Sequence, residues 1–368
     1  MNVLIYRGGK RALFAIVLGL YAAAGVFAQE TRRDLLEIPA IVRSGAENSV
    51  MMAVSRAGDR LVSVGERGTV LLSDDDGLSW RQAREVPVSV ALTSVAFADP
   101  RQGWITGHGG VVLHTADGGE TWRKQLDGRV AAQLELQAAK AQLAVDPQAA
   151  APRLKAAYRM VDDGPDKPFL DLYFADTKHG IAVGAYGLAV ITDDGGETWR
   201  SIGGQMDNPA GMHLYAILAD EQGVVITGEQ GTLLRSTGLG QAFERLESPY
   251  TGTYFGALRT ADGRLLAFGL RGNAYALAGT DWQPLNTGNS TLTAGKRLPD
   301  GTLLMVDEGG RLLLSSDNGQ SFRTQALNEV DGAAITDLEL TPSGALVVTG
   351  LRGVKRVVAK SLVGENKQ

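Results

Sequence analysis

The nine residues TDDGGETWR, Thr192 to Arg200, decide the fold because the chain repeats them. Close copies stand at 115–123 (TADGGETWR), 73–81 (SDDDGLSWR) and 315–323 (SSDNGQSFR). The acidic residues of a single copy would suggest a carboxylate-bearing active site or a metal loop. Four copies instead indicate a structural part that recurs along the chain.

A longer unit surrounds each copy: an apolar segment, a polar turn, a β-branched segment ending in G-x-x-G, another apolar segment, and the acidic turn with its aromatic residue. The second glycine of the G-x-x-G turn recurs at Gly68, Gly110, Gly187, Gly231, Gly272, Gly310 and Gly353. Apart from one gap of 77 residues, the spacings lie between 38 and 44 residues. Seven units of about forty residues with short alternating strands are typical of an all-β, seven-bladed β-propeller.

The second unit shows how the strands of one blade are predicted. Ser94–Phe97 would be the inner strand A, Gly103–Gly107 strand B, Val111–Thr115 strand C, and Thr121–Gln125 the outer strand D. In the sixth unit, Asp307 replaces the first glycine of the turn between B and C. Because glycine adopts a positive φ freely and aspartate tolerates it, we expect a positive φ at this position.

The four acidic turns fit the Asp-box pattern S/T-x-D-x-G-x-S/T-W/F. In such a C-to-D hairpin turn, the aspartate and hydroxyls bond nearby backbone N–H groups, and the aromatic ring packs between sheets. A calcium loop would need oxygen ligands at alternate positions and a terminal bidentate glutamate, which these turns lack. The residues predicted to form structural Asp-boxes are Asp75, Gly77, Trp80, Asp117, Gly119, Trp122, Asp194, Gly196, Trp199, Asp317, Gly319 and Phe322.

The N-terminal segment has the features of a secretory signal peptide. Arg7, Lys10 and Arg11 precede an apolar run over 12–26, and small residues lead to a predicted cleavage after Ala28. The alternative is a membrane anchor, but a bilayer span needs about 20 apolar residues. We therefore expect an exported, periplasmic protein.

Composition excludes several kinds of site. The chain has no cysteine, so disulfides, thiolate metal sites and a cysteine nucleophile are excluded. Removal of the signal peptide would leave a net charge of about −8, which argues against nucleic acid as a partner. His108 and His114 lie at opposite ends of one predicted strand, so we predict no metal site and no cofactor.

The long gap between units contains an insertion at 126–168, within one propeller domain over 29–368. Its Ala, Gln, Leu, Glu and Lys residues are strong helix formers. Pro147 breaks the run, and Pro152 suits the first turn of a second helix. We predict an α-helical insertion between blades two and three, with a disordered linker as the alternative.

The two ends of the chain are predicted to close the ring. The seventh unit ends near Lys360 after three strands, while Arg33–Val42 has no blade of its own. We expect this N-terminal segment to supply the missing outer strand. Such closure would remove an exposed sheet edge, which is a liability in open β arrays.

Together, the signal peptide, seven units, Asp-boxes followed by W-R, and G-x-x-G turns resemble the photosystem II stability and assembly factor family of seven-bladed propellers. The resemblance implies a non-enzymatic protein that binds a membrane-protein subunit during assembly. Cyanobacterial members are lipoproteins, whereas this chain has no cysteine to acylate, and the Ala-rich insertion also differs from photosynthetic members. We therefore expect a monomeric relative from a non-photosynthetic bacterium.

A glycan-binding or sialidase-like propeller is the alternative, because sialidases share the Asp-box. Sialidase chemistry would need an F/Y-R-I-P segment near the start, and no segment after Ala28 has that sequence. Other glycosidases would need two carboxylates at the channel mouth. Glu66, Glu229, Asp307 and Glu308 lie in turns that could supply them.

Strand order predicts which face would bind a partner. A–B and C–D turns share one face of the disc, whereas the G-x-x-G turns and the insertion share the other. Variable side chains on a rigid scaffold are where recognition usually resides, and arginine suits carboxylates of a client. The alternative is that these are ordinary solvated turn residues. The predicted partner-binding residues are Arg67, His108, Tyr186, Glu229, Arg271, Glu308 and Arg352.

Overall fold

The computed structural model describes residues 34–357, in which successive chain segments form seven antiparallel sheets. Six sheets have four strands and the last has three within the described residues. The predicted signal peptide, its cleavage after Ala28, and the predicted end of the seventh unit at Lys360 lie outside these residues. The coarse prediction of a mostly β protein with two helices is confirmed.

Strands follow the chain order within each sheet, as a series of hairpins requires. Sheet one contains β1 (Met51–Ala57), β2 (Arg60–Gly65), β3 (Val70–Ser73) and β4 (Arg81–Gln82). Sheet two contains β5 (Leu92–Phe97), β6 (Gly103–Gly107), β7 (Val111–Thr115) and β8 (Arg123–Leu126). Sheet three contains β9 (Phe169–Phe174), β10 (Gly180–Gly184), β11 (Ala189–Thr192) and β12 (Arg200–Ser201).

The remaining sheets repeat this arrangement. Sheet four contains β13 (Leu214–Asp220), β14 (Gly223–Gly228), β15 (Leu233–Ser236) and β16 (Glu244–Arg245). Sheet five contains β17 (Tyr254–Arg259), β18 (Leu265–Gly269), β19 (Ala274–Ala278) and β20 (Asp281–Pro284). Sheet six contains β21 (Leu292–Arg297), β22 (Leu303–Asp307), β23 (Arg311–Ser315) and β24 (Arg323–Ala326). Sheet seven contains β25 (Ile335–Leu340), β26 (Leu346–Gly350) and β27 (Gly353–Val357).

The first strands of the seven sheets surround a central channel. Each contacts the first strands of its two neighbours, and β25 of the last sheet contacts β1 of the first. The apolar residues of the middle strands fill the spaces between adjacent sheets, where strands such as β6 and β10 are buried along their whole length. The sheets therefore form a closed ring with a core at each junction.

The predicted closure by an N-terminal strand is wrong. Residues 34–42 form no strand; Leu36 is buried with the junction between sheets one and two. Ala40 N donates to the carbonyl of Val86, and the carbonyl of Leu35 accepts from Ser89 N. These bonds hold the segment against the connection between sheets one and two. The predicted strand would instead have paired with sheet seven, whose last described strand is β27.

The G-x-x-G turns also differ from the prediction at their first glycine. Gly65, Gly184 and Gly269 are extended, with φ of −167°, −170° and 178°. Glycine is needed at these three positions because a β-carbon would lie 2.1–2.2 Å from the carbonyl oxygen of the residue just before the first strand of the same sheet. Positive φ occurs instead at the residue before the second glycine, as at Arg67, and at the second glycine itself.

The insertion is a helical hairpin made by α1 (Gly128–Leu143) and α2 (Pro147–Asp163). Asp127 caps α1 by accepting from the backbone N–H groups of Arg129 and Val130. The second helix begins at Pro147, so Pro152 lies inside it and not in its first turn as predicted. Proline at Pro147 suits a helix start because the first N–H groups have no intrahelical acceptor.

The hairpin packs on sheets two and three through small residues. Ala131 and Ala132 of α1 join the core cluster that contains Trp104 and Trp199. The Trp104 ring stacks on Phe174 with centroids 3.6 Å apart. The hairpin therefore shares a core with the sheets.

Candidate functional site

The Asp-box acids are hydrogen-bonded within their own turns. In the third sheet, Asp194 Oδ1 accepts from Thr192 Oγ1 at 2.8 Å and from Thr198 N at 2.9 Å. Asp194 Oδ2 accepts from Thr198 Oγ1 at 2.6 Å, and Thr192 Oγ1 accepts from Gly196 N at 2.8 Å. Gly196 has φ of 87°, a conformation that favours glycine. The same bonds recur around Asp75, Asp117 and Asp317.

These bonds favour the ionised carboxylates. Hydrogen bonds from Ser321 and Ser315 lower the pKa of Asp317 to about 2. Bonds from Thr198 and Thr192 likewise hold the pKa of Asp194 below its usual value. Of the aromatic residues of the turns, Trp122 and Trp199 are buried between sheets, and Trp80 and Phe322 are partly buried. This arrangement organises a turn, and both oxygens of the carboxylate already accept hydrogen bonds within it.

The two faces of the ring carry different turns. On one face, Asp-box turns contact A–B turns; Gly195 N, for example, donates to the carbonyl of Lys178. On the other, G-x-x-G turns contact the connections between sheets, as where Gly231 N donates to the carbonyl of Gly252. All seven predicted partner-binding residues lie in G-x-x-G turns, and we call this surface the turn face.

Four turn-face side chains occupy left-handed backbone positions. Arg67, Tyr186, Gln230 and Arg271 have φ of 55°, 58°, 52° and 57°. In sheet two, Gly109 takes the equivalent place with φ of 70°. A left-handed conformation costs a residue with a side chain about 1 kcal/mol relative to glycine. These four turns therefore carry long side chains at a backbone position where glycine would be less strained.

The three predicted arginines belong to different sheets, with Arg67 and Arg352 on adjacent sheets one and seven. All three are exposed. Arg352 lies 3.5 Å from the carboxylate of Asp331. No ion pair within residues 34–357 involves Arg67 or Arg271. The turn face therefore presents two guanidinium groups without an acidic partner in the described chain.

The other predicted residues have distinct surroundings. His108 is exposed, and Glu308 Oε1 accepts from the backbone N–H of Thr291 at 3.0 Å. Glu229 Oε2 lies 3.7 Å from His213 Nδ1. Tyr186 is 57% exposed, and its ring lies 4.8 Å from the His213 ring. The structure thus brings Tyr186 and Glu229 together through His213, which the sequence analysis did not identify.

The central channel holds two carboxyls that the sequence analysis did not identify. Asp171 Oδ1 accepts from Ser94 Oγ at 2.7 Å, and its Oδ2 accepts from Ile217 N at 2.8 Å. Asp337 Oδ2 accepts from Val54 N at 2.9 Å. Each carboxyl therefore bonds strands of neighbouring sheets.

Both carboxyls line a channel cavity of about 250 Å³. Both residues are only partly exposed, and burial of their carboxyls raises the pKa of Asp171 to about 6 and that of Asp337 to about 7. A signal was present in the sequence, because each aspartate is the third residue of an apolar inner strand, FLDLYF or ITDLEL.

The acids considered for glycosidase chemistry have partners within the protein: Glu66 lies 3.6 Å from Arg43, Glu229 lies 3.7 Å from His213, and Glu308 accepts from Thr291 N. Asp307 is fully buried, and its carboxylate accepts from Gly309 N, Arg311 N and Arg311 Nε at 2.7–3.0 Å. It therefore organises its own turn.

Within residues 34–357, no group of three or more histidine or acidic side chains could hold a metal ion. In the same range, no helix has the length and apolar character to cross a membrane.

Comparison with known proteins places these features in a family. Residues 46–147 and 150–250 match the family described as Photosynthesis system II assembly factor YCF48. The chloroplastic Photosystem II stability/assembly factor HCF136 of Oryza sativa subsp. japonica is 26% identical, over 74% of this chain and 61% of that protein. The chain thus spans about three fifths of the length of this relative.

Solved structures establish the fold. A structure described as YCF48 bound to D1 peptide is similar with a TM-score of 0.61 and 17% identity, covering 87% of this chain and 95% of that chain. The WD40 β-propeller domain of Doa1 is similar with a TM-score of 0.58 and 13% identity, covering 89% of this chain and 97% of that chain. The chain has a propeller-type fold.

Proposed function

Because this chain belongs to the YCF48 family of photosystem II assembly factors, we propose that it is a non-enzymatic assembly or accessory factor that binds a membrane-protein complex. A YCF48 structure contains a D1 peptide, which is a segment of a client bound by a family member. For the present chain, we propose the same kind of partner without assigning its identity.

The proposed architecture is a seven-bladed propeller whose sheets are the blades and whose hairpin is inserted between blades two and three. We further propose export by a signal peptide cleaved after Ala28, a periplasmic location and a monomeric state. Export is supported by the charged and apolar pattern of residues 7–28. A periplasmic protein would meet the exposed domains of an inner-membrane complex.

The proposed binding surface is the turn face. The observation that carries this proposal is that Arg67, Tyr186 and Arg271 have left-handed backbone conformations although the side chain of each is exposed. Exposed side chains contribute little to folding, so the strain is not offset by core packing. Recognition of a partner supplies a reason to keep them. His108, Glu229, Glu308 and Arg352 would border the same surface.

The test is a triple variant, Arg67→Gly, Tyr186→Gly and Arg271→Gly, expressed in the native host. Glycine relieves the left-handed strain, so the melting temperature should stay the same or rise. Co-purification with a membrane complex from solubilised envelopes should be lost. The matched control is Arg101→Ala, an exposed arginine on the opposite face, which should co-purify as the wild type does.

Retained co-purification of the triple variant would reject the turn face as the binding surface. Saturable oligosaccharide binding by the wild-type protein, with no associated membrane complex, would favour the glycan-binding alternative. A lower melting temperature of the triple variant would show that the three side chains serve stability.

A further inference from the structure

A row of aromatic rings crosses the turn face from the helical hairpin to the central channel. We call Tyr186, His213, Tyr215 and Phe255 the aromatic row. Their successive ring centroids lie 4.8, 6.4 and 5.1 Å apart. Tyr186 forms the exposed outer end, whereas Tyr215 and Phe255 line the channel cavity. The row therefore links the rim of the disc to its centre.

The outer end of the row already holds a cation. Lys167 Nζ lies 5.0 Å from the Tyr186 ring centroid. The same ammonium group is 2.8 Å from Asp163 and 2.5 Å from Asp166, which neutralise its charge. Ring faces attract cations because their quadrupole is negative above the ring. Lys167 and Tyr186 therefore form a cation–π contact within the chain, and the other rings of the row could make the same kind of contact with a cation of a partner.

The inner end has acidic groups and no cation. Glu229 stands beside His213, and its charge, after burial, contributes to raising the pKa of Tyr215. Asp171 and Asp337 line the adjoining cavity, whose lining contains no lysine, arginine or histidine among residues 34–357. In this part of the chain, no lysine or arginine lies over Tyr215 or Phe255.

We propose that the inner end of the aromatic row, formed by Tyr215, Phe255 and Glu229, binds an arginine side chain of the client. The inference rests on the proposed function, because it specifies one side chain that the turn face would recognise. A guanidinium group can stack on a ring face and donate to a carboxylate at the same time. The channel cavity of about 250 Å³ provides space beside the rings.

The probes are Nα-acetyl-arginine methylamide and its uncharged isostere Nα-acetyl-citrulline methylamide. Each is titrated into purified protein with ¹³C-labelled tyrosine and histidine side chains, and the shifts of the Tyr215 and His213 signals are measured. The arginine probe should give saturable shifts, with a Kd at least about fivefold lower than that of the citrulline probe.

Two acid substitutions provide the matched comparison. Glu229→Gln should raise the Kd of the arginine probe at least about fivefold, because the carboxylate is lost while the shape is kept. Glu244→Gln removes an exposed acid from the outer strand of the same sheet and should leave the Kd unchanged. Phe255→Leu should weaken the arginine probe more than the citrulline probe, because a cation–π partner is removed.

Equal affinity for the two probes, an absence of saturable shifts, or an unchanged Kd in Glu229→Gln would overturn the proposal. These titrations need no client, so such a result leaves the co-purification experiment unaffected. Conversely, retained co-purification of the triple variant would reject the turn face as the client-binding surface and would leave selective arginine binding as a property of the isolated protein.

Discussion

Thr336 Oγ1 donates a 2.8 Å hydrogen bond to the backbone carbonyl of Met51, and this contact joins the last sheet to the first. An equivalent bond joins sheet two to sheet three, where Thr93 Oγ1 donates to the carbonyl of Phe169 at 2.8 Å. Thr293 makes the same contact between sheets six and seven. The closing junction therefore uses the inner-strand contact of the repeat, and no shared strand is involved in the described residues.

Thr336→Val should lower the free energy of unfolding by about 2 kcal/mol, because it removes the bonds of this hydroxyl to the Met51 carbonyl and to the Thr349 hydroxyl with little change in side-chain shape. Chemical denaturation monitored by circular dichroism would measure the loss. Thr93→Val is the matched control at an internal junction, because Thr93 Oγ1 likewise bonds a carbonyl of the next sheet, that of Phe169, and a threonine hydroxyl, that of Thr106, so the two losses should agree. A loss in Thr336→Val several times that of the control would contradict the equivalence of the junctions.

The Asp-box acids should act on stability alone. Asp194→Ala and Asp117→Ala should each cost about 1 kcal/mol through lost turn hydrogen bonds. Asp193→Ala is the control, because the carboxylate of this exposed neighbour lies 3.7 Å from Arg200, beyond hydrogen-bond distance. Thermal denaturation and co-purification are measured on the same preparations. Loss of client binding in Asp194→Ala at an unchanged melting temperature would contradict a structural role.

Features encoded within one unit could be predicted from the sequence. The bonds around Asp194 and the φ of Gly196 involve residues at most four apart, so a local pattern specifies them. The glycine at Gly65 was predicted for the wrong reason. It is required because a β-carbon at this position would lie 2.2 Å from the Val50 carbonyl oxygen, and local backbone preference does not reveal such an approach.

Long-range relationships were harder to predict. Leu36 was assigned to an outer strand of the last unit, but it is buried at the junction of the first two sheets. The aromatic row combines residues from three sheets, and no spacing within a unit marks His213 or Tyr215 as neighbours of Tyr186. Packing between consecutive sheets brings these residues together, so the repeat predicted which face they share but not which side chains would be in contact.

The two channel carboxyls should make the protein less stable as the pH rises toward neutrality. Burial raises the pKa of Asp337 to about 7, with Glu339 adding to the effect and Lys296 opposing it. A carboxyl with a raised folded-state pKa contributes stability below its ordinary pKa, near 4, and that contribution is lost as the pH rises through the folded-state value. Burial lowers the pKa of His114 to about 4, which acts in the opposite direction, but the larger combined shift of the two carboxyls should still make the melting temperature decline between about pH 4.5 and 7.5.

Asp337→Asn removes this titration, so its melting temperature should depend less steeply on pH over the same range. The variant should also be less stable overall, since an amide nitrogen cannot accept the bond from Val54 N. Asp59→Asn is the control, because its side chain is 97% exposed. Identical pH slopes for Asp337→Asn and the wild type would show that Asp337 is ionised throughout.

The hairpin should depend on one ion pair for its position. Arg153 of α2 donates to both carboxylate oxygens of Glu135 in α1, at 2.7 and 2.9 Å, and Glu135 also accepts from Ser201 of sheet three. The two ionic side chains are only 18% and 13% exposed. Arg153→Ala would leave the Glu135 carboxylate without its cation, at a cost of about 2 kcal/mol.

This cost should appear as faster limited proteolysis at the hairpin loop, where Val145 is 86% exposed. Lys140→Ala is the control, because Lys140 lies over the exposed ring of Tyr158 in the same hairpin. The double variant Glu135→Gln, Arg153→Gln should be cleaved more slowly than Arg153→Ala, since no buried charge is left unpaired. Cleavage of Arg153→Ala at the wild-type rate would mean that the apolar contacts of Ala131 and Ala132 hold the hairpin without the ion pair.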